Sequence, residues 1–166
     1  MKEVHVPATR LECRDMQGAL DTVFGPAMLK RVHGPDTEVC DFDRDGNRTF
    51  KFSVDVCRVP WAIRHVFCGS HLRITTRQTL TKPSATRWQV SNDTRMHFLG
   101  SELFKLKPVF SLVMDGSAVH VGGNVQHIAH IPPPFNRIAE TFMAKHTERE
   151  LRKFGACLQD DHSVRP

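Results

Sequence analysis

The chain contains no tyrosine, so no phenolic hydroxyl is available to any chemistry it performs. No apolar run approaches the roughly 18 residues of a helical membrane span, which argues against an integral membrane protein. Cys13, Cys40, Cys57, Cys68 and Cys157 include no CxxC pair and no zinc-finger spacing. An odd number of unpaired cysteines reads as free thiols in a reducing compartment. The opening stretch MKEVHVPATRLECRD sets charges where a secretory signal would need its apolar core, so a cytoplasmic location is expected. Ten glycines and ten prolines are too few for a collagen-like or low-complexity chain.

What is present is a 166-residue chain that is 40% hydrophobic, enough for one domain with a sizeable core. Eleven phenylalanines supply much of that apolar volume. The net charge of +5, built on fifteen Arg and eight Lys, favours anionic partners such as phospholipid headgroups or nucleic acid. The basic residues are scattered rather than clustered.

Val4 and Val6 alternate as a short strand that Pro7 is expected to end. From Leu11 to Phe24 the apolar residues recur at helical spacing, and Gly25-Pro26 stops the helix. Strands are expected over 37–42 and 48–57, flanking the turn Asp43-Arg44-Asp45-Gly46-Asn47. In the second of these, Phe50, Phe52, Val54 and Val56 alternate with polar residues, giving one dry face and one wet face. Further strands are expected over 71–80, 86–94, 102–114 and from 117 to about 131, with a bulge or bend at Gly122-Gly123. A helix from Phe135 to Leu158 carries an apolar stripe that includes Ile138, Ala139, Phe142, Met143, Leu151 and Phe154.

Several constellations invite specific chemistry. Asp41 to Asn47 matches the first half of an EF-hand loop, but Phe52 stands where the bidentate Glu should be, so an acidic hairpin turn is the better reading. His120, His127 and His130 fall in one strand, yet alternation turns His127 to the opposite face, so no metal site is expected. Arg73, Arg77, Arg87, Lys105 and Lys107 share outward faces without interleaved aromatics, which makes nucleic acid a weak second partner class. Trp61, beside Arg64 and His65, suits either a bilayer-facing gate or a tryptophan packed onto the domain. Thr76, Gln78, Asn92 and Thr94 share the inward parity of Leu72, Ile74, Trp88 and Val90. Such groups must pair with one another, lie at a sheet end, or line a cavity.

A strand, a helix, consecutive antiparallel strands and one long amphipathic helix form an α+β order that resembles the helix-grip fold of the START-like (SRPBCC) superfamily. In it a curved antiparallel β-sheet wraps around the long C-terminal α-helix. The resemblance runs from Val4 to about Leu158, within one expected domain over 1–158 and a polar tail over 159–166. The segment Pro60-Trp61-Ala62-Ile63-Arg64, followed by Ile74 to Leu80, is loosely similar to the middle of lipid-binding VASt domains. The superfamily implies a hydrophobic cavity between helix and sheet that binds, and in some members transfers, a lipid or other hydrophobic small molecule. On that basis Thr76, Gln78, Trp88, Phe104, Phe110, Met114, His127 and Phe142 are the expected ligand-binding residues. No cofactor, metal or catalytic residue is expected for binding alone, and transient contact with an anionic membrane surface fits the charge. The alternative is a cyclase or hydratase, with His127 as acid or base in the same cavity; a regulatory domain with a solid core is a third class.

Overall fold

The computed structural model describes residues 2–55, 71–98, 101–130 and 135–163. Trp61 and its neighbours, and with them the VASt-like loop, lie outside the described residues.

Strand β1 (Lys2–Glu12) does not end at Pro7. It lies at one edge of the sheet, where a missing N–H breaks no second ladder, and its pairing skips from Val6 opposite Gly123 to Thr9 opposite Val121. Pro7 and Ala8 therefore sit in a bulge, one of the few places a strand accepts proline. The extra strand length takes Leu11 into the core as a strand residue, and the helix expected from there starts later. Helix α1 (Met16–Phe24) is launched by Asp15, whose Oδ1 accepts the Gly18 N–H at 2.6 Å. It buries Met16, Ala19, Leu20, Val23 and Phe24. Gly25 closes α1 and opens α2 (Pro26–His33). A β-carbon at Gly25 would lie 2.1 Å from the Asp21 carbonyl oxygen, so this junction requires glycine.

Strand β2 is only Glu38–Val39, shorter than the sequence pattern indicates, because its continuation is taken up by a turn. In that turn Asp43 Oδ1 accepts the N–H groups of Asp45 and Asn47 at 3.0 and 2.7 Å. The EF-hand-like segment is therefore an Asx-type hairpin turn. Among the described residues no group of three or more His, Cys, Asp or Glu side chains is arranged to hold a metal ion. The remaining strands are β3 (Asn47–Asp55), β4 (His71–Ser84), β5 (Arg87–Phe98), β6 (Ser101–Asp115) and β7 (Ala118–Ala129). They form one curved seven-stranded sheet in the order β1-β7-β6-β5-β4-β3-β2. Every neighbouring pair is antiparallel.

The Gly122-Gly123 pair does not bulge β7. Pairing with β6 is continuous from Phe104 opposite Ala129 to Asp115 opposite Ala118, and the irregularity lies across from it, on β1. Gly123 is needed for closeness: a β-carbon there would be 2.1 Å from the Val109 carbonyl oxygen and 2.9 Å from Phe110 Cα. Because β7 keeps its alternation, Val119, Val121, Val125 and His127 all face inward.

The last helix, α3 (Phe135–Ser163), packs on β1, β7 and α2 and runs beyond the expected end at Leu158. Ala139, Ala144 and Leu158 are buried along it, whereas Ile138, expected on the apolar stripe, is 56% exposed. Leu11, Leu20, Val23, Val90, Leu112, Val119 and Leu158 pack one end of the interior solid, closed by α1. The other end is not filled.

Candidate functional site

A cavity of about 490 Å³ lies between α3 and the dry face of β3–β6, roofed on one side by the end of α1 and by α2. That size falls within the few hundred to a thousand Å³ typical of small-molecule sites. The helices contribute Met28, Leu29, Ala139, Phe142, Met143 and Phe154, and the sheet contributes Phe50, Ile74, Phe104, Leu106 and Phe110. The phenylalanines shape it through edge and face contacts. Phe24 and Phe110 meet edge to face at 5.3 Å, and Phe50 and Phe52 stack at 5.8 Å.

Five of the residues singled out from the sequence line this cavity: Thr76, Gln78, Phe104, Phe110 and Phe142. Three do not. Trp88 faces inward, but toward the solid end, where its ring packs on the core and takes the Lys82 ammonium at 4.1 Å. Met114 packs against the same cluster. Both placements have one cause: alternation tells the face of the sheet, not the position along it.

His127 is fully buried, but it faces the seam between β1, β7 and α3. Its Nδ1 is 3.3 Å from the Lys2 carbonyl oxygen and its Nε2 is 2.8 Å from Thr147 Oγ1. A carbonyl only accepts, so Nδ1 carries the proton and Nε2 accepts the Thr147 hydroxyl. Burial holds its pKa below the usual histidine value, partly offset by the Lys2 carbonyl. Both ring nitrogens are spent on fastening α3 to the sheet edge, and neither is offered to a molecule in the cavity.

The polar residues expected either to pair or to line a cavity do both. Thr76 and Thr94 lie directly opposite one another on β4 and β5, with their hydroxyl oxygens 2.8 Å apart. Gln78 and Asn92 form the next inward rung, with Gln78 Nε2 donating to Asn92 Oδ1 at 3.0 Å. Arg48, opposite Gln78 on β3, extends that rung by donating from Nε to Gln78 Oε1 at 2.6 Å. A second guanidinium nitrogen donates to the Phe24 carbonyl, and the group lies 4.1 Å over the Phe42 ring. Burial pushes the Arg48 pKa down to about 10, against the pull of Asp41 and Asp21. Arg48 sits on the inward face of β3, in step with Phe50, so strand parity points to it although its charge argues for the surface.

His33 lies at the edge of the cavity, stacked on Phe52 at 4.3 Å and Phe50 at 5.6 Å. Burial pushes its pKa down to about 4, with His146 pushing the same way and Glu150 opposing. The imidazole is therefore neutral and aromatic in character near neutral pH.

The outer face of the sheet is less basic than its lysines and arginines imply. Arg73 pairs with Glu38 at 2.5 Å, Lys105 lies 3.7 Å from Asp93, and Arg95 binds Asp93 at 2.7 Å. No helix among the described residues is long and apolar enough to cross a membrane.

No protein-family model and no curated protein matches the sequence. Solved structures do match the fold. A protein from Thermus thermophilus is 11% identical, with a TM-score of 0.57, over 96% of this chain and 99% of its own. A STAR-related lipid transfer protein from Xanthomonas axonopodis is 15% identical, with a TM-score of 0.56, over 92% of this chain and 84% of its own. The curved antiparallel sheet closed over by a long C-terminal helix is thus the START-like helix-grip fold, and this chain has it.

Proposed function

We propose that the protein binds a hydrophobic small molecule, of lipid character, in the cavity between α3 and the sheet. The observation that carries this reading is an unfilled apolar space of about 490 Å³ inside a domain whose other end is close-packed. An interior this large is costly to leave empty, because its lining forfeits dispersion contacts. Transfer of an acyl chain from water into it gains roughly 0.8 kcal/mol per methylene. The fold shared with a lipid transfer protein is consistent with binding, and with carrying the ligand between surfaces.

The catalytic alternative loses its proposed acid or base, since His127 is occupied by Lys2 and Thr147. The nucleic-acid alternative loses charge to the ion pairs of the outer sheet face.

Native mass spectrometry of the recombinant protein, followed by extraction and identification of bound small molecules, tests the reading. A co-purifying apolar molecule, displaced when Ala139→Phe fills the cavity, is the expected result. A protein that emerges empty and binds neither fatty acids nor a solvatochromic dye would overturn it.

A further inference from the structure

The rung Arg48–Gln78–Asn92 crosses three adjacent strands and has a direction. Arginine has donors and no acceptor, so the atom of Gln78 that it meets at 2.6 Å must be the carbonyl oxygen. The Gln78 NH₂ is thereby turned toward β5, where it must meet an acceptor, and Asn92 presents Oδ1 to it at 3.0 Å. That leaves the Asn92 NH₂ at the end of the series. It has no hydrogen-bond partner among the described residues, and the half-buried Asn92 lines the cavity. The amide orientations are not interchangeable: a flip at either residue would set donor against donor. The neighbouring rung adds to the same sign. Of the Thr76 and Thr94 hydroxyls, one hydrogen closes their mutual bond and the other is left for a further acceptor. Pro108 also lines the cavity, and β5–β6 pairing passes from Ser91–Val109 to Thr94–Leu106 without an Asn92–Pro108 pair. Proline inside a central strand is rare, and here the ladder opens beside Asn92.

Resting on the binding reading above, we propose that the cavity has a hydrogen-bond-donating pole at Asn92, and that its ligand is an amphiphile whose buried polar group is an acceptor oxygen, a carboxylate or an ester or ketone carbonyl. The buried Arg48 guanidinium polarises the series from behind, so each successive donor is strengthened. An ammonium or other donor-only head group meets the Asn92 NH₂ donor against donor and gives up hydration there.

The test compares probes that share one alkyl chain: dodecanoate, methyl dodecanoate and dodecylamine. Each competes against a solvatochromic dye, with wild type, Asn92→Leu and Asn92→Asp. Wild type is expected to prefer dodecanoate and methyl dodecanoate over dodecylamine by about three- to tenfold. Asn92→Leu levels the three while retaining dye binding. Asn92→Asp, which still offers an acceptor to Gln78, shifts preference toward dodecylamine. Melting curves for each variant confirm folding. If all three probes bind wild type but the order is unchanged in both variants, the donor pole is refuted and the cavity reading stands. If none of them, nor the dye, binds wild type, the cavity reading falls and the donor pole with it.

Discussion

Replacing Arg48 with Met is the sharpest test of how the interior is built, because the wild-type arrangement combines a cost and a gain. Arg48 is 6% exposed, and its pKa is depressed to about 10, so the fold bears a real desolvation cost for holding the guanidinium. In return the group satisfies Gln78 Oε1 and the Phe24 carbonyl and rests on Phe42. Arg48→Met leaves two buried acceptors unpaired at about 1–3 kcal/mol each, and forfeits a cation–π contact worth about 0.5–1 kcal/mol. Relief of guanidinium desolvation offsets part of this, leaving a net loss of about 1–3 kcal/mol. Adding Gln78→Leu removes one orphaned acceptor, while Asn92 can turn to water in the cavity. The double variant is therefore expected to recover about 1–2 kcal/mol relative to the single one. Urea unfolding of wild type, both single variants and the double variant measures the coupling. Melting should follow at about 2–4 °C per kcal/mol. A single variant within about 0.5 kcal/mol of wild type, or a double variant less stable than Arg48→Met, would refute the reasoning.

Gly123→Ala places a methyl 2.1 Å from the Val109 carbonyl oxygen and is expected to cost about 1–3 kcal/mol in urea unfolding; a neutral result would mean that β6 and β7 can part there freely. Leu112→Ala, at the packed end, is expected to cost about 2–5 kcal/mol while leaving dye affinity in the cavity within about twofold, measured by melting and titration. His33 and His127 both titrate lower in the folded chain than unfolded, so below about pH 6.5 the unfolded chain takes up more protons. The His33 contribution is complete above that pH and is lost as the pH falls toward about 4, at less than about 1.4 kcal/mol per pH unit for this half-buried group, and the His127 contribution is lost in the same direction. Urea midpoints measured across that interval should decline, and His33→Phe should flatten the decline; an unchanged slope would count against the burial of His33.

Strand alternation made the face of most residues legible. Thr76 and Gln78 were recognisable as inward polar residues from Leu72, Ile74 and Leu80 around them, and both are fully buried in the folded chain. The existence and start of the long last helix and the antiparallel run β3–β7 followed from the same periodicities, whereas the helix end did not. What the periodicity does not encode is depth along a strand. Trp88 and Gln78 have equal claims by parity, yet only one reaches the cavity, because α1 and the Leu158 end of α3 close the interior on the Trp88 side. Nor does parity reveal partners: His127 was correctly inward, but whether it met a ligand or Thr147 depended on how α3 crosses β7. Arg48 is hard to find from sequence because a charged residue inside a dry face is atypical, and its placement becomes intelligible only once Gln78 is opposite it. The end of β1 is misread at Pro7 because proline stops an internal strand, whereas at an edge with a bulge it interrupts little.

The ends of the sheet have a consequence for how copies of this chain behave in solution. An open sheet exposes two unpaired margins, and long flat margins invite other chains to add strands. Here one margin is a two-residue strand, Glu38–Val39, and the other is kinked at Pro7-Ala8 and carries exposed Lys2, Glu3, His5, Arg10 and Glu12. Among the described residues, borders this short on one side and this kinked and charged on the other offer little template for a strand of another copy, so edge-to-edge pairing is disfavoured even beside an unfilled apolar interior.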